Sequence, residues 1–198
     1  IQGCTDNAEQ IAFRRGAIEA WLLENHISLD DLSAVVIRSS GAGLCKKGGT
    51  YLVTGKLRDG MYAAYRGSFP KAPHPSFIVL PLADEILGSR PIPIYIVDPD
   101  GVDEFQDVAY ITGHPDLPRS SGFHVLNHKA IARKASRDLG KRYEDADLVV
   151  AHMGGGISIA AHRHGMVVDS TSGGSAGEGP FGTNRTGPLP LNKLVDRC

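Results

Sequence analysis

Along residues 8–25, apolar and polar positions recur with the helical period. Ile11, Ile18 and Leu22 fall on one face, and Arg14, Arg15 and Glu19 lie off it. A short capped turn at Ser28–Asp31 leads to the apolar run Ala34–Ile37, read as a buried strand ending at Arg38. Glycines 41, 43, 48 and 49 form a loop, and Thr50–Val53 a further short strand. Leu57, Met61 and Tyr65, spaced i, i+4, i+8, predict a helix over 56–66. Pro75 opens another helix that runs to Gly88, with a kink expected at Pro81. Ile92–Val97 reads as a strand ending at Asp98-Pro99. Ser120 or Ser121 then caps a helix through Leu139 that carries Ile131, Ala135 and Leu139 on one face. Strands alternating with helices predict an α/β architecture. The chain shows no internal repeat and no low-complexity tract.

The pattern changes after Leu148. The run Leu148–Ala151 ends at His152 and a triple glycine, Gly154-Gly155-Gly156. A second run alternates Ile157, Ile159 and Ala161 against Ser158, Ala160 and His162, and His164-Gly165 turns into a third, Met166–Asp169. Period two interrupted by glycine turns predicts antiparallel hairpins. Glycines at such a turn let backbone N–H groups approach an anion closely. A lone triple glycine is equally the tight turn of an ordinary sheet. Here a second glycine segment, Gly177-Glu178-Gly179 with Arg185 beyond it, follows at once and points to a phosphate site. A dinucleotide fingerprint, with Asp169 as its acid, fits poorly, because it requires a helix where Ile157–His162 alternates with period two.

Composition narrows the class without defining it. With 198 residues, 41% hydrophobic and 22% charged, the chain can bury a sound core in one domain or two small ones. A formal net charge of −1 leaves no electrostatic footprint for nucleic acid or an anionic membrane. No apolar run is long enough to span a bilayer, and the first residues carry no signal-peptide pattern. Cys4, Cys45 and Cys198 are odd in number and far apart, against a disulfide framework or zinc site, and a reducing cytoplasm is expected. His162 and His164, flanking Arg163, read as a solvated hairpin tip rather than metal ligands.

Several segments together carry a family resemblance. They are Ala151-His-Met-Gly-Gly-Gly-Ile-Ser158, the hairpin end Gly165 to Asp169, Gly177-Glu-Gly-Pro-Phe181 and Arg185-Thr-Gly187. Upstream stand Gly48-Gly-Thr-Tyr51, Ile96-Val-Asp-Pro99, Val102-Asp-Glu104 and Phe123-His-Val-Leu-Asn127. In combination these resemble the butyrate kinase branch of the acetate and propionate kinase family, over nearly the whole chain. The resemblance implies an actin-like, ribonuclease-H-like two-lobe kinase fold. Residues 1–100 would then belong to the first lobe, on the acid and phosphoryl side. Residues 101–198 would begin the second lobe with its Gly-rich hairpin. Composition alone would divide the chain at the linker-like Thr112–Gly122, whereas the resemblance places the hinge near Asp98-Pro99.

Arg38, Asp98 and His152 each stand at the carboxyl end of a predicted strand, where ligands gather in α/β sheets. The family's reaction, which makes an acyl phosphate from a carboxylate and ATP, needs no base to activate its nucleophile. It needs relief of anion repulsion and alignment of the attack. Arginine grips carboxylate and phosphoryl oxygens alike, and Arg38 and Arg185 match the family's active-site arginines. By the same resemblance, His124 stabilises the transferring phosphoryl group, Asp98 stands near Mg²⁺ and the phosphates, and His74 lines the acid site. His152, Gly154, Gly155, Gly156 and Ser158 would cradle the ATP phosphates, with Gly177, Glu178 and Gly179 continuing the loop.

The chain also departs from the family pattern. Ser39-Ser-Gly41 replaces the glycine pair expected after the arginine, and Ser170–Ala176 is Ser/Gly-rich where an Asn-containing stretch is usual. His128 stands where Gln is usual and Asn184 where Glu is usual. The resemblance further implies a phosphate motif before Ile1 and a nucleotide-binding portion after Cys198, so an internal fragment of a homo-oligomeric parent is expected. Two alternatives stay open: a truncated, inactive module that binds phosphate or acid, and a kinase for acetate or a branched-chain acid.

Overall fold

The computed structural model describes residues 4, 6–68, 75–171, 179–183, 187 and 190–197. Of the expected site residues, His74, Gly177, Glu178 and Arg185 lie outside this set, as does Asn184. The backbone forms two units, one of Ile1–Cys45 with Gly49–Pro99, the other of Lys46–Gly48 with Asp100–Cys198.

In the first unit, α1 (Asn7–Glu24) starts where the Asp6 carboxylate accepts the Glu9 N–H at 2.9 Å. Next come β1 (Val35–Ile37), β2 (Thr50–Leu52), α2 (Gly55–Ser68), α3 (Pro75–Leu87) and β3 (Ile94–Val97). The strand order is β1-β3-β2, with β1 parallel and β2 antiparallel to β3. Ile37, Ile94 and Ile96 from the sheet pack with Val53, with Met61 of α2 and with Leu80, Ala83 and Leu87 of α3. Helix α3 runs without a break through the buried Pro81. Arg58 and Tyr62 of α2 both bond the Asp84 carboxylate of α3, and burial helps push the Tyr62 phenol up to about 12.

The second unit contains α4 (Val125–Asp138) and an antiparallel meander, β4 (Leu148–Met153), β5 (Ile157–Arg163) and β6 (Met166–Ser170), in that order, then a short α5 (Leu191–Val195). Val102, Phe105, Phe123, Val125, Ala160 and Val167 form its core. Between β5 and β6 the register slips by one residue: Ala161 pairs with Asp169 but His162 with Val167. Val168 is the extra residue, and its carbonyl accepts the Gln106 N–H at 3.1 Å.

Several expectations are corrected. The run ending at Ile37 is an edge strand, with Val36 63% exposed. Helix α4 begins three residues later than a Ser121 cap requires: His124 holds the cap position, and the Ser121 hydroxyl instead donates to the Val102 carbonyl. The expected apolar face of α4 is not its buried face. Ile131 and Leu139 are exposed, whereas Val125, His128, Lys129, Ala132 and Ser136 are buried. His162 is no solvated tip residue. It is 2% exposed and sits 2.7 Å from the Tyr143 hydroxyl. The linker-like Thr112–Gly122 lies within the second unit, where Arg119 bonds Ala109, Asp169 and Ser170. Cys4 and Cys45 are free thiols. Among the described residues no helix is long and apolar enough to cross a membrane.

Candidate functional site

The site residues fall in both units. In the first, Arg38 and Asp98 follow the adjacent parallel strands β1 and β3, whose register pairs Ile37 with Ile96. Both therefore stand at carboxyl ends. Arg38 is exposed. Asp98 is buried, takes a left-handed backbone (φ 42°) and exchanges two hydrogen bonds with Gly49: N–H to carbonyl and amide to carboxylate, each at 2.8 Å. A non-glycine residue held left-handed stores strain on the order of 1–3 kcal/mol. Behind Arg38, the buried Ser39 hydroxyl donates to the Ser76 carbonyl at 3.2 Å and accepts the Gly41 N–H at 3.3 Å, pinning the loop. The serine that replaces an expected glycine thus has a structural task.

In the second unit, β4 and β5 place His152 opposite Ser158 across the last pairs before the glycine turn. The turn closes through the Gly154 N–H and Gly156 carbonyl at 3.1 Å. A Cβ on Gly154 would stand 3.3 Å from His152 Nε2, so glycine keeps this approach open. Gly179 is more tightly constrained, since a Cβ there would come within 2.5 Å of the Ile157 carbonyl oxygen. Thr183 Oγ1 donates to the Gly155 carbonyl at 3.3 Å, so part of the second glycine segment lies against the first.

Helix α4 brings His124 to this turn. Its ring stacks on His152, with centroids 3.8 Å apart and planes 12° from parallel. His124 Nδ1 lies 2.8 Å from Ser158 Oγ, and Asn127 Nδ2 lies 2.8 Å from His152 Nδ1. Below them His128 Nε2 also lies 2.8 Å from Ser158 Oγ, and His128 stacks on His162 at 5.7 Å. Burial, more than the neighbouring imidazoles, pushes His128 down to about 4, and burial likewise pushes His162 down to about 4. Both rings are therefore neutral at physiological pH.

Four of the expected residues, His124, His152, Ser158 and Gly154, thus meet in one place. In the sequence His128 stands out only as a departure from the family pattern, although its i+4 spacing from His124 puts both on one helix face. Nothing in the sequence signals the pairing of Lys129 with Glu104. Among the described residues, no group of three His, Cys, Asp or Glu is placed to hold a metal ion. Mg²⁺ does not demand such a cage, because it keeps waters and substrate phosphates as ligands.

Residues 114–191 match the Acetokinase family. Over 192 residues the chain is 40% identical both to a probable butyrate kinase of Clostridium botulinum (strain Alaska E43 / Type E3) and to butyrate kinase 1 of Clostridium acetobutylicum. Each alignment covers 96% of this chain and 52% of the relative, so the chain spans about half the length of the curated relatives it matches. The fold is similar to that of Porphyromonas gingivalis acetate kinase, with a TM-score of 0.66 at 21% identity, covering 85% of this chain and 43% of that one. Residues 114–191 thus resemble the acetokinase family, and nearly the whole chain is similar to one half of the butyrate kinases.

Proposed function

We propose that this chain carries part of the active site of a kinase that phosphorylates a short-chain carboxylate, butyrate before acetate, at the expense of ATP. The observation that carries this reading is its 40% identity to butyrate kinases over 96% of the chain. The cluster of His124, His152 and Ser158 beside the glycine turn supports it chemically.

The acid is already an anionic nucleophile, so the protein has to offset repulsion, align the attack and stabilise charge on the transferring group. Arg38 and Arg185 are assigned the gripping of carboxylate and phosphoryl oxygens. His124 donates a hydrogen bond to the oxygen where charge develops. With the Gly154 N–H taken up by the Gly156 carbonyl, Gly155, Gly156 and Gly179 are the backbone donors assigned to the ATP phosphates; Gly177 and Glu178 are assigned to the same phosphates, and His74 to the acid site. Asp98, a buried carboxylate with one oxygen on the Gly49 amide, suits a Mg²⁺ held mainly by phosphate oxygens and water. That ion would supply neutralisation of phosphate charge. The two units serve as parts of the two lobes, divided near Pro99, in a protein that works in the cytoplasm as a homo-oligomer.

The test is a hydroxamate assay with Mg·ATP and butyrate, with acetate in parallel. Acyl hydroxamate above a heat-killed control, greater with butyrate, supports the reading, and Arg185→Ala should then abolish most turnover. If neither this chain nor a version extended to the relatives' full length gives product with any short acid, the reading fails. Product only from the extended version would assign the 198 residues a binding role without turnover of their own.

A further inference from the structure

Ser158 Oγ has one proton and two imidazole neighbours at the same 2.8 Å, His124 Nδ1 and His128 Nε2. The hydroxyl and His128 are fully buried, so water does not arbitrate between them. A hydroxyl donates once and accepts twice. Which imidazole receives its proton is decided at the far side of the His128 ring. There His128 Nδ1 is buried with no partner among the described residues.

Were Ser158 to donate to His128 Nε2, the neutral His128 ring would carry its proton on Nδ1. That would bury an N–H with nothing to accept it, among the rarest defects in folded proteins. With the proton on Nε2, His128 donates to Ser158 and leaves only a bare lone pair at Nδ1, the milder deficit. Ser158 then turns its own proton to His124 Nδ1. The His124 backbone N–H, 3.5 Å from the same oxygen, approaches its remaining lone pair. In this arrangement His124 carries its ring proton on Nε2.

We propose that His128 acts through Ser158 as a positioning residue that holds the His124 imidazole in its Nε2–H form. His124 then meets an anionic oxygen as a hydrogen-bond donor rather than with a lone pair. The destination of that donor, a phosphoryl oxygen, rests on the function proposed above; the tautomer itself does not. Asn127 acts in parallel on the stacked ring, since its amide nitrogen, donating to His152 Nδ1, sets His152 as Nε2–H as well. Two adjacent rings thereby hold the same protonation pattern by independent contacts, one through a hydroxyl and one through an amide.

The experiment is two-bond ¹H–¹⁵N NMR on the ¹⁵N-labelled full chain near neutral pH. His124 is assigned by the loss of its signals in His124→Asn. The expected result is His124 Nδ1 at an unprotonated shift and Nε2 at a protonated one. Ser158→Ala should move both nitrogens toward averaged positions, and His128→Leu should do the same. His128→Gln, whose amide can still donate to Ser158, should restore the wild-type pattern. A protonated Nδ1 on His124 in the wild-type chain overturns the proposal, as does a pattern unchanged in Ser158→Ala. Should the alanine or leucine variant fail to fold, the wild-type spectrum and His128→Gln still decide. No substrate is involved, so failure of the kinase reading would show in the hydroxamate assay and leave this result standing.

Discussion

The Lys129 ammonium lies 2.8 Å from the Glu104 carboxylate, and the two side chains are 2% and 4% exposed. Glu104 also accepts the Gly48 N–H at 2.6 Å and the Val167 N–H at 2.9 Å, while Lys129 donates to the Gly165 carbonyl at 3.1 Å. Removing one member of such a pair strands the other charge, at a cost of about 3–5 kcal/mol. The two removals should differ. After Lys129→Met, Glu104 keeps two backbone donors. After Glu104→Ala, the ammonium keeps one carbonyl and the Tyr143 ring face, and two N–H groups lose their acceptor. Glu104→Ala is expected to lower the urea midpoint more than Lys129→Met, and equal midpoints would contradict this account.

The same pair makes Gly48 sensitive to a single methyl. A Cβ there would stand 2.5 Å from Lys129 Nζ and 2.8 Å from its Cδ, so Gly48→Ala must displace a buried, bonded ammonium. The expected loss is about 1–3 kcal/mol, typical of overpacking. Gly16, inside α1, is the contrasting site, because a Cβ added there would have nothing within 4 Å. Gly16→Ala should raise stability by about 0.5–1 kcal/mol through helix propensity. Thermal unfolding of both variants checks the pair of opposite signs.

Mild acid should destabilise the second unit through His128 and His162. Each has a folded-state value of about 4 against an ordinary 6.5. Above 6.5 neither folded nor unfolded chain binds the proton, and the full stability is present. As pH falls from 6.5 toward 4 the unfolded chain takes up protons that the folded chain refuses, and stability is lost until the folded rings titrate. The loss approaches ~3 kcal/mol per residue at the acid end. The rings face each other, with His124 and His152 beyond His128 and Lys129 beside His162, so protonating one raises the cost of the next. Urea midpoints across this window should fall in the wild type and fall less in His162→Gln.

If His124 stabilises charge only in the transition state, His124→Asn should lower kcat by roughly 10²–10³ while changing KM for ATP little. Steady-state kinetics on a catalytically competent form would check this. A selective rise in KM with kcat preserved would instead assign His124 to ground-state binding.

What could be read without coordinates, and what could not, separates along a physical line. The elements were legible wherever apolar residues line the inner face, as with Leu57 and Met61 of α2 or the run ending at Ile37. The inner face of β5 was not, because Ser158, Ala160 and His162 face the interior and the isoleucines are only half-buried. Hydrophobicity cannot point to a buried serine and histidine whose partners, His128 and Tyr143, lie 30 and 19 positions away in the chain. Helix α4 hid its stripe for the same reason: His128, Lys129 and Ser136 are tolerated inside because each finds an internal partner. The same feature makes the site distinctive, since His124, His152 and Ser158 were individually visible but the proton order among them was not.

The slip at Val168 has a consequence for how β6 counts. Val167 and Ser170 are three positions apart, an odd interval that sends side chains to opposite faces of an unbroken strand. Both are buried here, at 0% and 4% exposure. The extra residue acts as a parity correction: alternation before it and alternation after it are out of phase by one, and the two frames agree on which side is inward. Asp169 is thereby turned toward Arg119, 2.9 Å away, where an uncorrected count would have sent it inward. Deleting Val168 would remove the bulge and leave plain alternation, with Val167 and Ser170 still inward and Asp169 still outward, whereas straightening the strand with Val168 kept in it would invert Asp169 and Ser170.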